Sequence, residues 1–348
     1  MDTIPVRADE RFDVACMTEF LRAHGVPVAD LDVEQYPAGQ SNLTFLLRSG
    51  EWEAVLRRPP LGPVPPRAHD MAREFRILHR LHPSFPLAPR PYLLCENPSL
   101  IGAPFYVMER RRGLVLDQDL PAGWKPDLAV HRAIAESLLR VLVDLHAVDW
   151  RAAGLGDIGH PEGYMRRQVS GWIERYERAR TADVEVEGVA NLTRWLEHTL
   201  PPSPPPTIIH NDYKLNNVLL DPRGPHPVSA VLDWEMATIG DPLSDLASLM
   251  VYWTEPGEAE MMGSMRSVTR EPGFPSRQEI ATLYASLSGR ELTHLNWYVG
   301  FAYFKVGVIL QQIYVRWFRG QTHDARFAGL GDVAAWMIQR AVATAAAD

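Results

Sequence analysis

An eight-residue stretch, HNDYKLNN at residues 210–217, gathers several groups that could do chemistry. It contains a carboxylate at Asp212, an ammonium at Lys214 and a side-chain amide at Asn217, and a second carboxylate, Asp233, follows the next apolar run. An amide oxygen and a carboxylate together suit a hard cation such as Mg²⁺. The remaining carboxylate could accept a proton from a hydroxyl group, and the ammonium could neutralise a developing negative charge.

Short apolar strands are expected to position these groups. Residues 208–209 and 218–220 are apolar and flank the loop, and residues 221–224 predict a turn before a strand that ends at Asp233. Because a hairpin of this length returns the chain to its starting edge, we expect Asp233 near Asn217. A single aspartate in a polar loop is usually a cap or a turn residue. The catalytic interpretation therefore rests on the combination of residue types, spacing and flanking strands.

The rest of the chain divides by its hydrophobic pattern into two parts. Residues 1–108 predict a small, mainly antiparallel sheet with a helix near residues 68–81, and residues 109–348 are mostly of helical pattern. The expected strands of the first part lie near residues 31–36, 43–48, 52–56, 91–95 and 104–108. This organisation predicts an α+β fold.

Composition and charge exclude several classes of protein. The 35 Lys and Arg against 43 Asp and Glu give a net charge of −8, which argues against broad nucleic-acid binding. Cys16 and Cys95 are the only cysteines, so a disulfide framework and a zinc–thiolate cluster are not expected. Residues 297–310 are too short to span a membrane and carry Lys305, so they predict a buried helix. The start of the sequence lacks a signal-peptide pattern. We expect a cytoplasmic protein without membrane contact, and the oligomeric state is left open.

The motifs resemble those of a known family. HNDYKLNN resembles the catalytic loop H-x-D-x-x-x-x-N shared by protein kinases and by aminoglycoside and choline kinases. LDWE at residues 232–235 is similar to the metal-binding segment that follows that loop. GDPLSDLA at residues 240–247 is similar to the segment of aminoglycoside phosphotransferases in which an aspartate, here Asp245, braces the loop. Most of the chain resembles a branch that includes stand-alone bacterial phosphotransferases and the kinase-like domain fused to some acyl-CoA dehydrogenases.

This resemblance implies a bilobal protein-kinase-like fold, with a small antiparallel-sheet N-lobe that binds nucleotide and a large, mainly helical C-lobe. It implies transfer of the γ-phosphoryl group of ATP to a hydroxyl of a small molecule, with Mg²⁺ as the metal. Asp212 would act as base or orienting group, and Lys214 would contact the γ-phosphate. Asn217 and Asp233 would hold Mg²⁺, and Glu235 would either support these ligands from behind or bind a second metal ion. The residues that would shape the catalytic loop are His210 and Asp245.

Three segments of residues 1–113 are similar to the nucleotide site of this family. The loop AGQSNLT resembles a phosphate loop, although it holds one glycine and no G-x-G-x-x-G pattern. Arg57 stands where the family has a lysine, and Glu74 on the following helix would pair with it. The segment FYVMERRRG resembles the strand that leads to the adenine-binding hinge. The further residues implied at the nucleotide are Gly39, Ser41 and Asn42 in the loop and Met108, Glu109 and Arg111 at the hinge.

Arg57 is the main departure from the family pattern. Arginine and lysine differ in shape and hydration, so the geometry of a pair with Glu74 is left open. Arg58 could be the functional cation instead, or Arg57 could lie in solvent at a strand end. Two other classes of function also stay open: a nucleotide-binding pseudokinase or regulatory module without turnover, and an acceptor-binding module that acts beside an acyl-CoA dehydrogenase.

The acceptor is not determined by these motifs. Aminoglycosides are polycations and would need an acidic cleft, whereas a hydroxyacyl-CoA would need basic residues such as Arg166 and Arg167. Tyr164, Arg167 and Trp172 lie at helical spacing and could line a substrate cleft. Packing of the same helix on the C-terminal helices also explains them and is the favoured interpretation.

Overall fold

The computed structural model describes residues 3–37, 42–60, 69–124, 127–181, 184–221, 227–322 and 324–347. The chain forms two compact units. The first comprises Met1–Arg112, Ala153–Leu155 and Ala230–Glu235, and the second comprises Gly113–Ala152, Gly156–Ser229 and Met236–Asp348. The antiparallel N-terminal sheet and the helical C-terminal part confirm the predicted α+β class. A nucleotide-binding role for residues 1–108 stays a prediction.

A six-stranded antiparallel sheet organises the first unit, in the order β1-β2-β3-β4-β6-β5. Strands β3 and β4 are joined by a two-residue turn at Gly50 and Glu51, where the φ of Gly50 is 60°. The strands are β1 (Ile4–Pro5), β2 (Asp32–Gln35), β3 (Leu43–Ser49), β4 (Trp52–Arg58), β5 (Pro91–Cys95) and β6 (Phe105–Glu109).

The two faces of this sheet pack differently. One face buries a cluster that includes Phe45, Leu56 and Phe105 together with residues of helix α1 (Val14–Ala23). Helix α2 (Met71–Leu81) buries Glu74 among apolar residues of its own. Because side chains alternate along a strand, neighbouring residues of β4 must point to opposite faces.

Helices make up most of the second unit. The longest helix, α9 (Leu295–Phe318), is apolar almost all round. It packs against α4 (Tyr164–Ala179), α6 (Pro242–Tyr252) and α10 (Leu330–Ala346), as expected of a helix buried on several sides. The helices are α3 (Leu128–Ala147), α4 (Tyr164–Ala179), α5 (Val189–His198), α6 (Pro242–Tyr252), α7 (Ala259–Met262), α8 (Arg277–Ser288), α9 (Leu295–Phe318) and α10 (Leu330–Ala346). In the described part of the chain, no helix is both long and apolar enough to cross a membrane.

Two small sheets flank the predicted catalytic loop. Strand β7 (Thr207–Ile209) pairs antiparallel with β10 (Thr238–Gly240), and β8 (Val218–Leu220) pairs with β9 (Val228–Val231). Strand β9 ends at Val231, so the prediction that Asp233 ends this strand is wrong by two residues. Asp233 instead adopts a left-handed conformation with φ 69°, which is uncommon for a residue other than glycine. The predicted turn at residues 221–224 lies mostly outside the described residues.

Candidate active site

The loop at residues 210–217 leaves β7, whose three residues are all buried. Asp245, in the first turn of α6, is fully buried, and its carboxylate accepts the backbone N–H of His210 at 2.6 Å and that of Asn211 at 2.7 Å. Asn211 has a φ of 67°. The carboxylate therefore holds the loop at a left-handed turn, a conformation that asparagine adopts more readily than most residues other than glycine.

The surroundings of Asp245 keep this carboxylate ionised. Its oxygen lies 3.5 Å from His146 Nε2, and the other ring nitrogen of His146 lies 2.8 Å from the Tyr284 hydroxyl. Burial by itself would raise the pKa of Asp245, but the hydrogen bonds and charges of His146 and His210 outweigh it, so the pKa lies below its ordinary value. Neither His146 nor Tyr284 was foreseen from the sequence.

Three of the predicted catalytic residues come together in the second unit. Asn217 Nδ2 donates to Asp212 Oδ2 and to the Asp212 carbonyl oxygen, both at 2.8 Å. Lys214 Nζ lies 2.9 Å from Asp212 Oδ1 and 4.7 Å from the centre of the Tyr252 ring. The Asp212 side chain keeps 20% of its surface exposed, so it is oriented by its neighbours and still accessible.

Asn217 presents a donor atom of the kind that Mg²⁺ prefers. Because its amide nitrogen donates to Asp212, its amide oxygen points away from that bond, and no described residue donates to it. Over the described residues, no group of three or more His, Cys, Asp or Glu side chains could hold a metal ion. A magnesium site made of one amide oxygen, one carboxylate and substrate phosphates does not require such a group. The free amide oxygen of Asn217 therefore suits the metal that the motif implies.

Arg57 is buried in the first unit and joins two carboxylates. Its Nη1 lies 2.8 Å from Glu74 Oε1, and its Nη2 lies 2.9 Å from Asp233 Oδ1. Arg57 is 8% exposed, so the interpretation that it lies in solvent is wrong. Burial opposes its charge, but the adjacent carboxylates raise its pKa well above the ordinary value. Burial raises the pKa of Glu74 to about 7, with Arg57 acting in the opposite direction.

Arg58 cannot take this role, because it points to the opposite face of the sheet. It is fully buried, and its guanidinium donates to the carbonyl oxygens of Ile101 at 2.7 Å and of Glu10 at 2.5 Å. The rings of Phe12 and Phe45 lie 5.4 Å and 5.2 Å from its Cζ. Arg58 is therefore a structural residue, and the alternative that it is the functional cation is wrong.

Of the three residues predicted to contact nucleotide from the phosphate loop, Asn42 is described, and Gly39 and Ser41 lie outside the described residues. Asn42 Nδ2 donates to Glu235 Oε2 at 2.7 Å, and Asn42 Oδ1 lies 2.8 Å from His69 Nδ1. Arg73 Nη1 donates to the Glu235 carbonyl oxygen at 2.8 Å. Asn42 and Glu235 thus belong to one polar cluster. His69 and Arg73 were missed because no sequence pattern marks them.

The predicted hinge residues lie at and beyond the end of β6. Met108 is buried, and the Glu109 backbone N–H donates to the Arg90 carbonyl oxygen at 2.8 Å. Arg111 Nη2 donates to the Pro86 carbonyl oxygen at 2.7 Å, and its Nε lies 2.9 Å from Glu109 Oε2. The contact of the Glu109 carbonyl and the Arg111 amide with adenine stays a prediction.

The candidate cleft residues of α4 have separate roles in the structure. The Tyr164 hydroxyl donates to Asn211 Oδ1 at 2.9 Å, so this side chain supports the catalytic loop. The Arg167 guanidinium donates to the carbonyl oxygens of His160 and Glu162, just before the helix. Trp172 is partly exposed, and its Nε1 donates to Gln168 Oε1 at 3.3 Å.

Comparisons with known proteins identify the family. A sequence model of the phosphotransferase enzyme family matches residues 32–279. The chain belongs to this family. Acyl-CoA dehydrogenase family member 11 of Rattus norvegicus is 35% identical over 329 residues, covering 92% of this chain and 41% of that protein. The Homo sapiens protein of the same name is 34% identical, with the same coverage of 92% and 41%. The chain thus spans about 41% of the length of these curated relatives.

Solved structures show the same fold. An aminoglycoside phosphotransferase-like protein from Ralstonia eutropha jmp134 is 32% identical with a TM-score of 0.81, over 97% of this chain and 99% of that one. A thermostable aminoglycoside phosphotransferase in ternary complex with ADP and hygromycin B is 20% identical with a TM-score of 0.60, over 94% of this chain and 97% of that one. This second likeness concerns the fold alone. Family and fold together support a kinase-like, small-molecule phosphotransferase.

Proposed function

We propose that this phosphotransferase moves the γ-phosphoryl group of ATP to a hydroxyl group of a small molecule. The observation that carries the proposal is the hydrogen-bonded group of Asp212, Lys214 and Asn217 on a loop that Asp245 holds. Phosphoryl transfer needs an oriented carboxylate, a cation and a metal ligand close together, and little covalent chemistry from the protein.

The roles follow from the hydrogen bonds. Asn217 and Lys214 each bind a different oxygen of Asp212, which fixes the rotation of the carboxylate before an acceptor arrives. Asp212 then orients the acceptor hydroxyl and takes its proton as the new P–O bond forms and the bond from the γ-phosphorus to the bridging oxygen of ADP breaks, so that ADP leaves. Lys214 neutralises negative charge on the transferring group. Asn217 and Asp233 would hold Mg²⁺, which when bound neutralises charge on the phosphate oxygens.

Arg57 is proposed to bind the α- and β-phosphates. The ion pair with Glu74 holds the guanidinium in place, as the lysine–glutamate pair does in kinases. Since a guanidinium has a planar set of donors, it can bind two phosphate oxygens at once, which an ammonium does less well.

The proposal is tested by ADP formation from MgATP, with water or an added hydroxyl compound as acceptor. Asp212→Asn should lower turnover by roughly 10²- to 10⁴-fold, the usual contribution of general base catalysis. Thermal stabilisation by MgAMP-PNP should persist, since Asp212 is proposed to act on the acceptor. Asp144→Asn, at an exposed position of α3, is the matched control and should keep wild-type turnover. Wild-type turnover in Asp212→Asn would refute the assigned role.

One observation favours a second candidate, a nucleotide-binding module without turnover. Asp233, the carboxylate proposed to hold Mg²⁺, already lies 2.9 Å from Arg57 Nη2. If this ion pair persists when nucleotide is bound, metal binding is weakened. Thermal stabilisation by MgATP without ADP formation, under every acceptor tried, would support this candidate over the enzyme.

Two similarities to known proteins suggest different chemical classes of acceptor. The curated relatives are named as acyl-CoA dehydrogenases, which suggests a hydroxyacyl-CoA. One structural neighbour holds hygromycin B, which suggests an antibiotic. A screen of hydroxylated metabolites and antibiotics for stimulated ADP release distinguishes the two.

A further inference from the structure

Lysine is rare in this chain. The sequence contains three lysines, at positions 125, 214 and 305, among 35 basic residues. Lysine carries a compact ammonium, whereas arginine carries a broad planar group, so the two are not interchangeable at a specific site. Lys125 lies outside the described residues, and Lys214 belongs to the catalytic loop. Lys305 lies in the middle of α9 and has no role in the mechanism above.

Lys305 is buried without a compensating ion pair. It is 8% exposed, and no described residue gives it a hydrogen bond or a salt bridge. The centre of the Trp172 ring lies 6.0 Å from its Nζ. That distance is at the limit of a cation–π contact. Burying an ammonium without an ion pair costs free energy, because its lost hydration is not replaced. A ligand that supplies the missing negative charge would offset this cost.

The position of Lys305 connects it with the catalytic loop. Helix α9 packs against α6, whose first turn carries Asp245, and against α4, whose Tyr164 hydroxyl donates to Asn211. Burial lowers the pKa of the Lys305 ammonium, while the charges of Asp245 and Asp212 act in the opposite direction. Both carboxylates already have partners, since Asp245 accepts the backbone N–H groups of His210 and Asn211. Asp212 is bound by Asn217 and Lys214. Lys305 thus lies in the field of the catalytic carboxylate without being its ion-pair partner.

We propose that Lys305 is the anion-binding residue of the acceptor site, and that its ammonium binds a carboxylate or phosphate oxygen of a molecule whose hydroxyl group faces Asp212. This inference rests on the proposed phosphotransferase function and adds the charge of the acceptor to it. The acceptor is a hydroxylated oxyanion. A polycationic amino sugar would place an ammonium beside Lys305 and be disfavoured by like-charge repulsion.

A binding experiment tests the charge preference. The full chain, saturated with MgAMP-PNP, is titrated calorimetrically with four compound series of matched chain lengths: ω-hydroxycarboxylates, ω-hydroxyalkyl phosphates, ω-hydroxyamides and ω-amino alcohols. We expect binding of one or both oxyanion series and none of the neutral or cationic series. The carboxylate and phosphate series distinguish the two sources of negative charge.

Substitutions assign the preference to Lys305. Lys305→Met should weaken oxyanion binding by about tenfold to a hundredfold, the usual range for one charge-assisted hydrogen bond. Lys305→Arg should recover part of it. Arg178→Met removes an exposed cation of α4 and should leave the affinity within about twofold, since exposed charges are screened. Thermal unfolding of each variant confirms that it is folded, and Met is tolerated because it fills a buried position without a charge.

The inference is overturned if no oxyanion binds, if amides or amino alcohols bind equally well, or if Lys305→Met binds oxyanions as wild type does. ADP formation from MgATP and its loss in Asp212→Asn, measured on the same preparation, decide the phosphotransferase proposal separately. Turnover with no charge preference would remove the role of Lys305 and keep the enzyme. Once an acceptor is known, Lys305→Met should raise its KM more than it lowers kcat.

Discussion

Asp245→Asn is the substitution that tests how the catalytic loop is held. The two carboxylate oxygens of Asp245 accept the backbone N–H groups of His210 and Asn211, at 2.6 Å and 2.7 Å. Asparagine has nearly the same shape but a single side-chain oxygen. Its NH₂ group would therefore face one of the two backbone donors, and the other bond would lose its charge.

The cost can be worked from these contacts. Asp245 is fully buried, so water does not replace a lost partner. Each hydrogen bond to a charged group contributes about 1.5–3 kcal/mol, and a buried unsatisfied donor costs about 1–3 kcal/mol. The two effects overlap because they involve the same atoms. We expect Asp245→Asn to lose about 2–5 kcal/mol of the free energy that holds the loop closed.

Hydrogen exchange measured by mass spectrometry is the direct assay. Amides in peptides that cover residues 207–217 should exchange about 1.5 to 3.5 orders of magnitude faster in Asp245→Asn, provided that local opening governs exchange, since 1.4 kcal/mol corresponds to about tenfold. ADP formation should fall with them, because the loop carries Asp212. The control Asp144→Asn changes an exposed carboxylate of α3 and should alter stability by about 0.5 kcal/mol or less. Equal exchange of the loop in both variants would refute the reasoning.

The pKa of Asp245 adds a pH dependence of known sign. Because the folded state lowers this pKa from its ordinary 3.8, the contribution of Asp245 to the free energy of unfolding is present above that pH. It is lost as the pH falls through the lower pKa of the folded state. Asp245→Asn should remove this part of the acid sensitivity, and the difference between the variants should shrink in acid.

Three further substitutions test the surroundings of the site. Burial raises the pKa of Glu74 to about 7 from 4.5, so the wild-type free energy of unfolding should fall as the pH rises between these values. In urea titrations, the free energy of unfolding of Glu74→Gln should depend less steeply on pH, and the same pH dependence in both proteins would contradict this prediction. Arg57→Lys keeps the charge but cannot bind two carboxylates in a planar arrangement. Titration with MgAMP-PNP should show that the affinity of the variant for this nucleotide is weakened by about tenfold, and unchanged affinity would argue against a phosphate contact. Gly240→Ala would place a Cβ 2.5 Å from Ile209 Cδ1 and should lower the free energy of unfolding in urea by about 1–3 kcal/mol. In the control Gly329→Ala, the new Cβ meets nothing within 4 Å, so stability should be almost unchanged. Equal effects of the two substitutions would contradict the expected clash at Gly240.

The sequence by itself determined the class of fold and the set of polar groups that meet in the loop at residues 210–217. Hydrophobic periodicity is local, so five strands of the N-terminal sheet could be predicted from it, with α2 beginning at Met71 instead of near residue 68. The two-residue strand β1 is too short to show a period and was missed. The motif at residues 210–217 was readable because Asp212, Lys214 and Asn217 are close in sequence and meet within one loop. The end of β9 was misplaced because a left-handed residue, Asp233, ends the extended chain early.

Only the tertiary structure decided which distant groups meet. Period-two alternation shows that Arg57 and Arg58 face opposite sides of β4, but it does not say which side carries Glu74. The ion pair of Arg57 with Asp233 joins residues 176 positions apart, which no local pattern specifies. Lys305 looked like one polar residue in an apolar helix. Its unpaired ammonium emerges only when α9 packs against α4 and α6, because burial and the absence of a described partner depend on neighbouring helices.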